Sequence, residues 1–179
     1  MAEIGVILKA AALAAHKHRD QRRKDAKATP YINHPIEVAR VLIEEGGVRD
    51  PKILAAALLH DTIEDTQTSY DELRGQFGAR IADIVAEVTD TKFLGKTSRK
   101  QLQLAKAGHA SAAAQQLKIA DKLCNLRDIL ARPPAKWSKE RQREYFDWAK
   151  AVVDQVRGAN PRLERKFDAV HAAGRGGRH

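Results

Sequence analysis

Apolar residues recur along this chain at spacings of three and four. No segment sustains the period-two alternation of β-branched residues that marks a strand. Caps and breakers divide the pattern into helices. The first spans about 2–18 and is followed by a basic loop, RDQRRKDAKATPY. Asn33 reads as an N-cap with Pro35 in the first turn, and that helix stops at Gly46-Gly47. Asp50 caps the next, with Pro51 at its first position, and it reaches about Glu64. Thr68 or Ser69 opens a short helix ending near Phe77-Gly78, and another covers about 79–90. Residues 91–106 read as loop then helix, Ser111 opens a helix to about Leu130, Ser138 caps one to Arg157, and Pro161 starts the last, to about Ala173. The pattern predicts one compact all-α bundle of about eight or more helices over residues 1–173, with a disordered Gly/Arg tail at 174–179.

One stretch is apolar on every side. Residues 53–65 read ILAAALLHDTIED, in which seven apolar residues lead directly into His60, Asp61, Glu64 and Asp65. Such a run predicts a buried central helix. Continued as a helix, it puts 60 and 64 on one line and makes 61, 64 and 65 neighbours, a single polar patch. Three carboxylates in a last helical turn repel one another and oppose the helix dipole. Exposed, the patch needs only water; partly buried, it needs a cation. Two other positions could join it. His34 lies in YINHP, where by itself it is more often a surface or core histidine than a ligand. Asp121 lies in LKIADKLCNLRDIL, where Ile119, Leu123, Leu126 and Leu130 form the core stripe and Asp121, Asn125 and Asp128 fall on another line. His34, His60, Asp61 and Asp121 make a mixed nitrogen and oxygen set that suits Mn2+, Fe2+ or Zn2+ with positions left for water.

Composition narrows the function classes. With 179 residues, 43% of them hydrophobic, the chain is one globular domain. Its longest apolar runs are far shorter than the ~18–20 residues of a membrane span. Glu3 and Lys9 interrupt any signal-peptide pattern. Cys124 is the only cysteine, which excludes an intrachain disulfide or thiolate metal cage and fits a reducing cytoplasm. The net charge of +9 favours an anionic partner, but it is uneven. Between Tyr31 and Thr91 twelve acids face five bases, whereas Lys92 to Lys106 holds five bases and no acid. An acidic middle is thus flanked by basic segments, which does not choose among nucleic acid, an acidic lipid face and a phosphorylated small molecule; for most individual Lys and Arg, a solvated face is the simpler reading.

QRRKD, PYINHP, AALLHDTIEDT, FG, EVTD and KIADKLCNLRD closely resemble the hydrolase domain of the RelA/SpoT alarmone enzymes, within the HD-type metal-dependent phosphohydrolases. WSKERQREYFDWAKAVV resembles their small hydrolase-only branch, the metazoan SpoT homologues and bacterial counterparts. The resemblance covers roughly residues 5–170, with no room for a synthetase domain. It implies an HD-domain bundle that hydrolyses guanosine tetra- and pentaphosphate (ppGpp and pppGpp), releasing pyrophosphate from the 3′ position, with Mn2+ as cofactor. By motif, His34, His60, Asp61 and Asp121 would ligate the metal. Glu64 and Asp65 would position and deprotonate the attacking water. Arg23, Lys24 and Asn125 would hold the nucleotide, and Lys96, Arg141 and Tyr145 match weaker family positions on the same cleft. Cys124, Trp137 and Trp148 are expected to pack, and His16, His18, His109, His171 and His179 carry no assignment.

The residues agree with that chemistry. A bound metal acidifies water and neutralises phosphoryl charge, and a nearby carboxylate can take the proton. The chain has neither a GxSxG elbow nor a Walker loop. Two rivals remain: an NADPH 2′-phosphatase or other nucleotide phosphohydrolase using the same residues, and a basic nucleic-acid binder. The second is disfavoured by an aromatic content of 5% and the lack of a nucleic-acid motif. The sequence points to no membrane and names no protein partner.

Overall fold

Caps and breakers set most helix boundaries where the sequence places them. The computed structural model describes residues 2–90 and 96–176, with side chains for 3–90 and 101–176. Its helices are α1 (Ala2–Lys17), α2 (Asn33–Glu44), α3 (Pro51–Leu59), α4 (Thr62–Asp65), α5 (Tyr70–Phe77), α6 (Ala79–Val88), α7 (Lys96–Ala107), α8 (Ala112–Ala131), α9 (Lys139–Asp154) and α10 (Pro161–Gly176). Asp50, Ser69, Ser111 and Ser138 each accept a hydrogen bond from an amide in the following first turn, where a helix leaves donors unbonded. Gly47, at φ +71°, ends α2, and Val48 N then donates to Leu42 O. Among the described residues, extended pairing is limited to an isolated antiparallel bridge between Arg22 and Pro30. No described helix is long and apolar enough to cross a membrane.

Helix α3 is the centre of the bundle. Residues Ile53 to Leu59 are all buried, and α1, α2, α6 and α8 pack around them. Alanines at 55, 56 and 57 let the neighbouring helices approach closely. Helix α8 lies against α2, α9 and α10, so α2, α3 and α8 meet along one seam.

Three boundaries differ from expectation. The segment 53–65 is not one helix: α3 ends at Leu59, and α4 starts at Thr62. The Thr62 hydroxyl donates to the Leu59 carbonyl at 2.7 Å, which takes up an acceptor of the α3 ladder and turns the chain. Asn33 is the first residue of α2 rather than its cap; Ile32 stands at that position without a side-chain bond. Helix α10 continues to Gly176, into the tail expected to be disordered from 174. The Phe146 ring lies where a Cβ at position 174 would be, and Arg175 pairs with Asp147 at 3.3 Å, so contacts with α9 extend the helix. Residues 177–179 lie outside the described residues.

Candidate metal centre and nucleotide cleft

The turn between α3 and α4 lets two consecutive residues, His60 and Asp61, line the same cavity. His34 reaches that cavity from the first turn of α2, and Asp121 from the middle of α8. His60 Nδ1 donates to the Ala57 carbonyl at 2.8 Å. Its Nε2 is buried, makes no hydrogen bond, and lies 2.9 Å from Asp61 Oδ2 and 3.8 Å from Asp121 Oδ1. His34 Nε2 lies 3.1 Å from Asp121 Oδ1 and 3.9 Å from Asp61 Oδ2. Ligand atoms of His34, His60 and Asp121 all fall within 4.8 Å of one another.

Ring nitrogens and carboxylate oxygens packed this closely need a positive charge among them, a proton or a metal ion. Burial disfavours charge on His60, yet the Asp61 and Asp121 carboxylates hold its pKa up, at about 9. Burial likewise works against Asp61, but His60 and His34 keep it below the usual carboxylate range. Asp121 is held well below that range against burial by Lys122 and His34. Two imidazoles, two ionised carboxylates and an orphaned Nε2 fit a divalent metal.

Outer contacts fix these groups. Tyr31 donates to Asp61 Oδ2 at 2.6 Å, Asn125 Nδ2 to Asp121 Oδ1 at 2.6 Å, and Lys122 Nζ to Asp121 Oδ2 at 2.8 Å. Such contacts orient metal ligands and tune their basicity.

Glu64 and Asp65 follow on α4 and line the same cavity. Burial and the nearby Asp90 carboxylate push Glu64 up to about 7, while its Oε2 accepts from Asp90 N at 3.1 Å. Asp65 is exposed and accepts from Gln21 Nε2 at 3.0 Å.

This chamber, of about 160 Å³, adjoins a larger cavity of about 690 Å³. Tyr31, His34, Asp65 and Asn125 line both. Arg22, Arg23, Lys24, Arg127 and Arg132 line the larger one together with Asp25, Glu37, Asp65 and Asp128, a mixed charged wall in which Arg23 and Arg132 pair with Asp128 and Arg127 with Glu45. Arg23 donates to Asp128 Oδ2 at 2.7 Å and to Asn125 Oδ1 at 3.1 Å, and its guanidinium lies 5.6 Å from the Tyr31 ring centre. The Lys24 carbonyl accepts from Ala135 N at 2.9 Å, joining the loop after α1 to the loop before α9.

The structure therefore brings His34, His60, Asp61, Asp121, Glu64, Asp65 and Asn125 into one chamber, with Arg23, Lys24 and Tyr145 around its mouth. Tyr145 packs against Trp137 and Trp148, at ring distances of 5.6 and 5.2 Å. Arg141 lines neither cavity; it is exposed and stacks on Trp137 at 4.6 Å. Lys96 begins α7, and its side chain lies outside the described residues.

Sequence reasoning missed Tyr31, Gln21, Lys118 and Lys122. Tyr31 stands inside the PYINHP motif, and the lysines flank Asp121 in an apolar stretch, which was the available signal. Trp137 and Trp148, read as packing residues, also wall the outer and inner cavities respectively. His18, left without a role, is buried beside Tyr31, with Nδ1 2.6 Å from Gln21 Oε1.

Comparison with known proteins fits this geometry. The profile of the HD domain matches residues 10–149. A Xenopus tropicalis protein named guanosine-3′,5′-bis(diphosphate) 3′-pyrophosphohydrolase MESH1 is 52% identical over 166 residues, 93% of each chain. The Homo sapiens protein of that name is 53% identical over 162 residues, 90% of each chain. A solved structure described as a metazoan ortholog of SpoT that hydrolyzes ppGpp superposes with a TM-score of 0.92, at 46% identity and covering 96% of each chain. The chain thus belongs to the HD-domain family, within the MESH1 group.

Proposed function

We propose that the chain is a divalent-metal-dependent hydrolase that removes the 3′-pyrophosphate from guanosine tetra- and pentaphosphate, leaving GDP or GTP. The observation that carries this reading is the union of an imidazole–carboxylate cluster, a half-buried carboxylate of raised pKa and an adjoining nucleotide-sized cavity lined by arginines. Its relatives' names support the substrate.

A divalent ion held by His34, His60, Asp61 and Asp121 supplies acidification of water and neutralisation of charge on the phosphoryl oxygens. The mixed ligand set suits Mn2+, with Fe2+ and Zn2+ as chemical alternatives. Glu64, with a pKa near neutrality, takes a proton from the attacking water. Asp65, held by Gln21, orients that water. Arg23 and Lys24 bind the nucleotide through charge, and Asn125 links that wall to Asp121. The water oxygen bonds to the 3′ phosphorus as Glu64 takes the water's proton, the bond from phosphorus to O3′ breaks, that proton passes to the O3′ leaving group, and GDP or GTP and pyrophosphate, which carries the water oxygen, are released.

The outer cavity, about 690 Å³ and edged by Tyr31, Trp137 and Tyr145, also suits a dinucleotide. NADPH, losing its 2′-phosphate, is therefore the second proposed substrate, and the cytoplasm the proposed compartment. The test uses metal-stripped protein supplied with Mn2+ and either nucleotide. Pyrophosphate from ppGpp supports the main reading, and orthophosphate from NADPH the second. Failure of Mn2+ to produce either product contradicts both.

A further inference from the structure

Two lysines sit four residues apart on the buried side of α8, and only Lys122 is ion-paired. Lys122 is 6% exposed, donates to Asp121 Oδ2 at 2.8 Å and lies 4.7 Å from the centre of the Trp148 ring. Lys118 is equally buried, at 6%, and lines the same inner chamber. Among the described residues its ammonium makes neither a hydrogen bond nor an ion pair. Holding an ammonium in a largely buried position without an ion pair is costly. Burial, reinforced by Lys122, pushes the Lys118 pKa down to about 8, so it remains mostly charged near neutrality. A buried lysine whose ammonium opens, without an ion pair, into the chamber beside a metal centre is the arrangement expected of a group that waits for an anion.

We propose that Lys118 is a catalytic residue that binds a non-bridging oxygen of the departing pyrophosphate at the inner end of the chamber. The inference rests on the hydrolase reading above and adds a contact to it. The arginine-bearing outer wall serves the nucleoside end, whereas the inner chamber presents Asp61, Glu64, Asp65, Asp90 and Asp121 to a polyanion, with Lys122 as its other lysine. Lys118 offsets that repulsion on the non-bridging oxygens of the pyrophosphoryl group as it passes from O3′ to water. Lys122 cannot replace it without giving up Asp121.

The experiment compares wild type, Lys118→Met and Lys118→Arg as holoproteins. Expected for Lys118→Met are a kcat about 100-fold lower, inhibition by inorganic pyrophosphate weakened about tenfold, and unchanged metal content. Its melting temperature should rise, because an unpaired buried charge is gone. Lys118→Arg should recover part of kcat and of the pyrophosphate inhibition. A kcat and pyrophosphate inhibition within twofold of wild type in Lys118→Met overturn the proposal. So does a lower melting temperature, which would mean that Lys118 serves an internal ion pair. If wild type itself releases no pyrophosphate, the hydrolase reading fails. The stabilisation of each protein by added pyrophosphate then still decides the Lys118 contact: loss of that stabilisation in Lys118→Met supports it, and an equal shift overturns it.

Discussion

Tyr31 donates its phenolic hydrogen to Asp61 Oδ2 at 2.6 Å, tying the end of the basic loop to a candidate metal ligand. Burial and the Asp61 charge push the Tyr31 pKa far above its usual range, so it stays a donor throughout the working pH range. Tyr31→Phe keeps the ring and removes only this bond. Metal affinity should fall about tenfold, read by competition with a chelator. Unchanged affinity would show that the carboxylate is oriented by its other neighbours alone.

Metal binding should release a proton near pH 7. Asp61 and Asp121 outweigh burial and hold His60 at about 9, so the metal-free protein carries an imidazolium that the metal must displace. Apparent affinity should weaken about tenfold for each pH unit below about 9. Calorimetry in buffers of different ionisation enthalpy reads the proton count directly. Binding without proton release would contradict a charged His60.

Glu64 gives the opposite pH signature from a salt-bridged carboxylate. Its pKa is raised from 4.5 to about 7 by burial and Asp90, so the folded protein retains a proton that the unfolded chain has lost. The contribution is fully present below the unfolded value and disappears as pH rises through about 7, a change of about 3 kcal/mol in metal-free protein. Glu64→Gln should remove this slope in denaturant titrations at several pH values. The same variant should lower kcat in the holoprotein by about 10²–10⁴-fold.

The end of α10 has its own test. A Cβ at Gly174 would lie 2.0 Å from Phe146 Cε1. Gly174→Val should therefore destabilise the fold by about 1–3 kcal/mol, measured by chemical denaturation. A neutral effect would mean that this end of α10 does not pack on α9.

Much of the fold was legible because it depends on local chemistry. Asp50, Ser69, Ser111 and Ser138 mark helix starts by the amides they accept, and the apolar run 53–59 needs burial on every side. The break after Leu59 was not legible, because a helix-forming sequence gives little notice that the Thr62 hydroxyl will bond a carbonyl three residues back. That break makes consecutive His60 and Asp61 share a cavity, where a straight helix would turn them apart. The extension of α10 through Gly176 has a tertiary reason: glycines at 174 and 176 read as a break, but the Phe146 ring fills the space beside Gly174. Among site residues, the His60-Asp61 and Asp121 group stood out as polar positions in apolar surroundings. Tyr31 and Gln21 gave no such contrast, since their relevance comes from partners far along the chain.

The most direct test of the account is hydrolysis of ppGpp by metal-stripped and Mn2+-loaded protein in water enriched in oxygen-18. The account predicts turnover only with the metal, one labelled oxygen in the released pyrophosphate and none in GDP. Label in GDP, orthophosphate as the product, or equal turnover in the presence of a chelator would contradict it.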